Sequence, residues 1–191
     1  MNWSLQGHPV DGRYEILYAD PPWAYKDKNI PSGAEKQYPT MSLDQMSEIP
    51  ISRLAAPNAV LFMWATWPLL TDALELIRDW GFEYKNCGFL WAKLNKVQRT
   101  PFLGLGHWTR GNTEPCLFAT RGKPHRIDAG VEQLVLDPIQ RHSQKPAEVG
   151  NRILDLMGNL PAVELFAREQ VKNWDGFGNE LPPETSIQLH P

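Results

Sequence analysis

Short apolar runs of strand length alternate with amphipathic segments along most of this chain. Residues 14–19 (YEILYA) and 59–64 (AVLFMW) are typical of central strands in a buried sheet. Residues 88–92, 116–120 and 162–166 have the same character. This alternation favours a single α/β domain with a largely parallel sheet and helices on both faces. In such folds, ligands bind beyond the carboxyl ends of the strands.

Two segments between these runs have the spacing of amphipathic helices. Apolar residues recur at helical intervals from Pro68 to Trp80, and Gly81 supplies a stop signal. Residues 145–157 repeat the pattern and are followed by Gly158. We therefore predict one helix in each segment.

Length and composition limit the chain to one domain. The chain has 191 residues, of which 42% are hydrophobic and 21% charged. This is enough apolar material for one full core, and the composition does not match that of a generally disordered chain. We predict a domain over residues 1–180 and a loose tail over 181–191. The segments 24–41 and 93–113 exceed the usual connection length, which indicates a function for both.

Several classes of protein and site are not favoured by the sequence. Cys87 and Cys116 each stand among apolar neighbours, which favours reduced core residues over a disulfide. The histidines are scattered without ligand spacing, so we expect no metal. With no basic-then-apolar leader and no bilayer-length apolar run, we expect a cytoplasmic protein without membrane contact.

The net charge of -3 conceals a basic segment. Residues 85–126 contain eight lysines and arginines and one acid, Glu114, so the segment carries +7 and the rest -10. Trp91, Phe102 and Trp108 lie among these cations. Cations interleaved with aromatics suit a phosphate backbone and unstacked bases, although a solvated loop gives the same pattern.

The first apolar run ends in an unusual stretch, Asp20-Pro21-Pro22-Trp23. The two prolines restrict the backbone, so the Asp20 carboxylate and the neighbouring carbonyls point in a narrow range of directions. A carboxylate, carbonyls without local N–H partners and a flat indole together suit a planar group with an NH₂, such as adenine. The alternative is an ordinary Asp-Pro turn that ends a strand.

The chain resembles the adenine-N6 methyltransferases that carry a DPPW motif, the family of the messenger-RNA adenosine methyltransferase and of smaller bacterial and phage enzymes. The resemblance covers nearly the whole sequence. It is carried by residues 19–23 (ADPPW), 38–42 (YPTMS), 106–117 (GHWTRGNTEPCL), 142–146 (HSQKP), 164–168 (ELFAR) and 178–180 (GNE).

The resemblance implies a Rossmann-like fold, S-adenosylmethionine as the methyl donor, S-adenosylhomocysteine as the product and a permuted motif order. It implies that residues 20–23 form the catalytic turn, that Trp23 faces the target base, and that Asn179 and Glu180 meet the cofactor ribose. Lys145 and Arg168 would hold the methionine end, although each taken singly also suits an ordinary surface or first-turn cation. The full cofactor set that it implies is Ala19, Asp20, His142, Lys145, Glu164, Phe166, Arg168, Asn179 and Glu180.

The same resemblance implies a nucleic-acid substrate, bound by Tyr38, His107, Trp108, Arg110, Asn112 and Glu114, and the basic segment adds Lys93, Lys96 and Arg99 as phosphate contacts. We favour DNA adenine, with RNA adenosine as the alternative and a non-catalytic nucleic-acid-binding subunit as a further one. A monomer, a dimer or a complex with a partner subunit is compatible with this interpretation. The chain departs from many methyltransferases in lacking GxGxxG, and its pocket for the cofactor adenine stays unassigned.

Overall fold

Ten strands and three α-helices are found in the described part of the chain. The structure is a computed structural model that describes residues 2–24, 39–106, 108–140, 144–169 and 171–190. The strands are β1 (Asn2–Leu5), β2 (His8–Pro9), β3 (Tyr14–Ala19), β4 (Ala55–Trp64), β5 (Glu83–Leu94), β6 (Thr113–Arg121), β7 (Leu134–Pro138), β8 (Ala162–Leu165), β9 (Asp175–Phe177) and β10 (Gln188–His190). The helices are α1 (Leu43–Ser47), α2 (Leu70–Asp79) and α3 (Ala147–Met157).

Seven strands form one sheet in the order β7-β5-β6-β4-β3-β8-β9. The strand pairs β3/β4, β3/β8, β8/β9 and β5/β7 are parallel, whereas β6 runs antiparallel to both β4 and β5. The reversal follows from the connection, because β5 passes to β6 through a loop without a crossover helix. The predicted α/β class is confirmed, with a mixed sheet in which one strand is reversed.

The helices begin and end where local sequence signals place them. Ser42 caps α1 through a reciprocal pair of hydrogen bonds with Gln45. Pro68 lies in a 3-10 turn that leads into α2, and Gly81 follows that helix with φ +81°. Gly158, with φ +87°, ends α3. Both predicted helices are therefore confirmed within a few residues.

The helices cover both faces of the sheet, as the alternation predicts. In β3, Leu17 and Ala19 join the apolar layer under α1 and α2, whereas Ile16 and Tyr18 join the layer under α3. Cys116 is buried in the second layer. Cys87 is half-buried, and both thiols are free.

Six of the seven strands point the same way, so their carboxyl ends form one edge of the sheet, called here the carboxyl edge. β3 ends there at Ala19, β4 at Trp64 and β8 at Leu165. The reversed strand β6 begins there with Thr113. Residues just after the first three strands and at the start of β6 are thus brought together.

The segment after residue 180 is packed, which corrects the prediction of a loose tail. Leu181 and Ile187 are buried, and β10 pairs with β1 in a three-stranded sheet completed by β2. Ser4 and His190 hydrogen-bond at 2.7 Å across this pairing. Its register is supported by side chains as well as backbone. In the described ranges, no helix is long and apolar enough to cross a bilayer.

Candidate active site at the carboxyl edge

The Asp-Pro-Pro-Trp turn leaves β3 at the carboxyl edge. The backbone N–H of Asp20 donates to the carbonyl of Leu165 at 3.4 Å, which fixes the turn beside the end of β8. The Pro21 carbonyl accepts from the N–H of Trp23, and the Pro22 carbonyl accepts from the N–H of Met41, both at 2.9 Å. The expectation that the carbonyls lack local N–H partners is therefore wrong for Pro21, although its oxygen has a second lone pair.

Trp23 is a core residue in this structure. Its side chain is 6% exposed, and its indole N–H donates to the carbonyl of Trp64 at 3.1 Å. A large apolar ring with one donor is satisfied completely by such burial. The expectation that Trp23 offers an open face to a base is corrected: the ring ties the turn to the end of β4.

Lys145 lies just before α3 and reaches across the edge to Asp20. Its ammonium Nζ lies 2.8 Å from each carboxylate oxygen of Asp20 and 3.1 Å from a carboxylate oxygen of Glu114. It also lies 5.6 Å from the ring centre of Trp64, a cation–π contact. In the structure, Lys145 therefore pairs with two carboxylates of the protein. The resemblance implied instead that Lys145 contacts the methionine end of the cofactor.

Glu114 extends this pairing. It stands near the start of β6, is 9% exposed, and binds the Lys93 ammonium at 2.7 Å on its other side. We call the alternating set Asp20, Lys145, Glu114 and Lys93 the charge chain. Lys93 and Glu114 were predicted to contact nucleic acid, but the structure pairs them with each other. The sequence signal was present, since Glu114 is the one acid in the basic segment.

Burial and pairing set the ionisation of the charge chain. Burial raises the pKa of Asp20 above its usual value, and the Lys145 ammonium counters part of that rise. Burial also acts to raise the pKa of Glu114, but Lys145 and Lys93 outweigh it, so that pKa lies below its usual value. Burial acts to lower the pKa of Lys145, and the two carboxylates raise it overall. The charge chain thus pairs two lysines with two carboxylates.

The predicted cofactor residues after β8 also gather at this edge. The Arg168 guanidinium lies 3.6 Å from a carboxylate oxygen of Glu180, with side chains 39% and 52% exposed. Arg168 also acts electrostatically on Asp20, lowering its pKa. The backbone of Gly178 packs closely against that of Ala167. A Cβ at residue 178 would lie 2.0 Å from the Ala167 carbonyl oxygen, so only glycine fits there. This approach carries Asn179 and Glu180 to the end of β8.

Three further predicted cofactor residues have less accessible side chains. Ala19 is fully buried, so only its backbone faces the edge. Phe166 has φ +62° and packs partly buried against Trp80, with ring centres 6.3 Å apart. Glu164 is opposite Tyr18 in the sheet, and burial, Asp20 and Glu169 raise its pKa to about 7.

The remaining predicted substrate residues lie in the loop between β5 and β6. Lys96, Arg99, Trp108 and Arg110 are exposed, and Asn112 is half-buried with its carbonyl accepting from the N–H of Lys93. Tyr38, His107 and His142 lie outside the described residues. No cluster of metal-ligating side chains occurs among the described residues.

Comparison with known proteins assigns the chain to a family. The MT-A70 family model matches residues 14–180. The chain is 33% identical over 190 residues to the Type II methyltransferase M.MunI of Mycoplasma sp, covering 89% of this chain and 78% of that protein. It is 30% identical over 174 residues to the human N(6)-adenosine-methyltransferase catalytic subunit METTL3, covering 89% of this chain and 28% of that protein. The chain belongs to the MT-A70 family and is a methyltransferase, which confirms the resemblance carried by the sequence motifs.

Proposed function

We propose that this enzyme transfers a methyl group from S-adenosylmethionine to the exocyclic N6 amine of adenine in DNA. The observation that carries the proposal is the Asp20 carboxylate, held at the carboxyl edge by two 2.8 Å contacts to Lys145 at the start of a backbone-bonded turn. A fixed acceptor at this edge suits a substrate with two N–H hydrogens.

The chemistry requires acceptors because the adenine amine is a poor nucleophile. Its lone pair is delocalised into the ring until both hydrogens are held and the nitrogen becomes pyramidal. Asp20 accepts one hydrogen with a lone pair that Lys145 leaves open, and the Pro21 carbonyl accepts the other with its second lone pair. The turn therefore stabilises the geometry that develops in the transition state.

S-Adenosylmethionine, when bound, would supply a methyl group on a sulfonium, with S-adenosylhomocysteine as the leaving group and one amine proton lost from the methylated nitrogen. The residues at the edge fit such a donor, because Arg168 suits its carboxylate, and Asn179 with Glu180 suits the two ribose hydroxyls. Lys145 has a different task in this proposal. It favours the ionised form of the Asp20 carboxyl group, against the effect of burial.

The pKa of Asp20 gives this mechanism a pH dependence. Only the ionised carboxylate accepts an amine hydrogen on either oxygen, and burial raises the pKa of Asp20 above its usual value. Methyl transfer should therefore fall as pH decreases through that raised pKa. Protonation of the carboxyl group would also weaken its attraction to Lys145.

DNA is the substrate we favour over RNA. The chain spans 78% of the length of M.MunI, a Type II methyltransferase, but 28% of the length of METTL3, an adenosine methyltransferase. RNA adenosine is the second candidate because of that same similarity to METTL3. The complete catalytic turn, with Asp20 held by Lys145, speaks against a non-catalytic binding subunit.

A direct test offers the purified protein labelled S-adenosylmethionine with single-stranded DNA, duplex DNA and RNA in parallel. The products are digested to nucleosides and identified by mass spectrometry. We expect N6-methyldeoxyadenosine from DNA. Label found only in N6-methyladenosine from RNA would overturn the choice of polymer, and label in another nucleoside, or in none, would overturn the reaction.

A further inference from the structure

The connection between β5 and β6 is an ordered projection, called here the finger (residues 95–112, with residue 107 not described). Its base is a backbone ladder in which Lys93 donates to Asn112 and Phe102 donates to Lys93, both at 2.8 Å. Gly104 donates to Gly111 at 3.0 Å higher up. A Cβ at Gly104 would lie 2.1 Å from the Gly111 carbonyl oxygen, so the two sides of the finger approach as closely as glycine allows.

The tip of the finger exposes large apolar side chains. Trp108 is 99% exposed, Leu103 is 75% exposed and Leu105 is 76% exposed. Isolated exposed apolar residues are common, but four on one glycine-rich projection, with Val97 at 84% exposed as the fourth, are not. Such a cluster is typical of a surface that becomes covered when a partner binds.

The charge around the tip indicates the nature of that partner. Lys96, Arg99 and Arg110 lie on the finger, and residues 94–113 include no acidic residue. A second copy that met the finger through its own finger would present the same positive charge, and like charges oppose association. A polyanion is complementary to this surface.

The finger also stands directly beside the proposed catalytic centre. Lys93 at its base contacts Glu114, which contacts Lys145, which contacts Asp20, each step between 2.7 and 3.1 Å. Nucleic acid that delivers an adenine amine to Asp20 therefore comes close to the base of the finger.

We propose that the finger is a wedge that enters duplex DNA beside the target adenine, with Trp108 and Leu105 occupying the space that the flipped base leaves. The inference rests on the proposed function and specifies its substrate as double-stranded DNA. Flipping a base costs a few kcal/mol of stacking and pairing, and apolar side chains inserted between base steps offset part of that cost. In single strands the bases are already accessible, so a wedge contributes little there.

The test compares wild type with Trp108→Ala and with Leu105→Ser on matched substrates. The substrates are a duplex that the wild type methylates, the same adenine-bearing strand alone, and the duplex with an abasic site opposite the adenine. Tyr84→Ala is the control, because Tyr84 is an aromatic residue 41% exposed at the opposite edge of the sheet.

For Trp108→Ala we expect kcat/KM on the duplex to fall by about tenfold to a hundredfold, which corresponds to losing much of the offset to flipping. On the single strand we expect kcat/KM to change by less than about threefold, because the target base is already accessible and needs no wedge. The abasic duplex should recover most of the loss. Leu105→Ser should show the same pattern more weakly, and Tyr84→Ala should match wild type on all three substrates.

Three results would overturn the wedge. Equal loss on duplex and single strand would mean that the tip binds nucleic acid without displacing a base. Unchanged activity on both would mean that DNA does not meet the tip. A wild-type dimer that Trp108→Ala converts to a monomer in sedimentation would assign the tip to a second copy of the chain. Failure of the proposed function looks different, because the wild type would then methylate no adenine in any strand.

Discussion

The two sides of Asp20 are built differently. On one side, the Lys145 side chain is 12% exposed, and its ammonium lies 2.8 Å from each oxygen of Asp20 and 3.1 Å from Glu114. On the other side, Arg168 and Glu180 lie 3.6 Å apart with 39% and 52% of their side chains exposed. One side is a buried set of contacts and the other a loose surface pair.

The difference separates positioning from binding. A buried charge must keep its partners, because losing one leaves the other desolvated and unpaired. An exposed ion pair contributes about 0–1 kcal/mol, so Arg168 can exchange Glu180 for a ligand carboxylate at small cost. The buried side is therefore organised before substrate arrives, and the exposed side is suited to take up a ligand.

The strongest challenge to this comparison is Lys145→Met. It removes the cation between the Asp20 and Glu114 carboxylates and leaves Glu114 with Lys93 alone, and we expect the free energy of unfolding to fall by about 3–5 kcal/mol. Methyl transfer should fall by about a hundredfold or more, since a misplaced acceptor no longer stabilises the transition state. Chemical denaturation and single-turnover rates measure the two effects.

The matched control for Lys145→Met is Lys85→Met, which removes a lysine from a 2.7 Å pair with Glu83 that is exposed. That change should leave both quantities near wild type. Equal destabilisation by the two substitutions would remove the distinction between buried and exposed pairs.

On the exposed side, Arg168→Ala should act mainly on cofactor binding. We expect the dissociation constant for S-adenosylmethionine to rise by about tenfold to a hundredfold, the loss of a charge-assisted contact. The melting temperature without ligand should change far less than for Lys145→Met, because the Arg168 side chain is 39% exposed and solvent screens its charge. Calorimetry gives both numbers. Arg13→Ala, which removes a 3.6 Å contact to Asp175 at the other end of β3, should leave the affinity as it is.

Exposed cations on the finger provide a third case, in which we expect the partner charge to come from the nucleic acid. The double substitution Lys96→Ala and Arg99→Ala should lower the slope of log affinity against log salt by about 2. The double substitution Lys123→Ala and Arg126→Ala removes the same charge at the opposite edge. An equal change of slope in both variants would assign the effect to net charge rather than to the finger.

The smallest effect concerns Glu164, whose pKa is raised to about 7 from a usual 4.5. Between these values the folded state keeps a proton that the unfolded state releases, so stability falls as pH rises through this window. Glu164→Gln should reduce that fall when melting temperatures are measured from about pH 5 to about pH 8. Glu75→Gln, an exposed carboxylate on α2, should retain the wild-type pH dependence.

Periodicity predicted the central elements because burial itself produces it. Residues 14–19 form β3 as predicted, and residues 59–64 lie within β4. Strand direction could not be predicted in the same way. A continuous apolar run such as residues 116–120 suits a parallel or an antiparallel strand equally well, and the direction of β6 is set by the loop that connects it to β5. The pairing of β10 was missed because Gln188–His190 is short and polar and is held by partners in β1.

The candidate site shows the same division between local and distant information. Asp20, Lys145, Arg168 and Glu180 lie at one edge of the sheet, as the positions of their motifs after or between predicted elements indicated. Local sequence did not reveal that Lys145 pairs with Asp20, 125 residues away, because the chemistry of a lysine suits a ligand carboxylate equally well. The burial of Trp23 likewise depends on the end of β4, a distant strand.

In the proposed mechanism, Asp20 positions the amine during the chemical step and is not required for binding. The most direct measurement is the single-turnover rate of methyl transfer by Asp20→Asn with S-adenosylmethionine and DNA both saturating. We predict a rate about a hundredfold to a thousandfold below wild type, with the dissociation constants of both ligands unchanged. A rate close to wild type, or a loss that saturating ligands restore, would contradict the account.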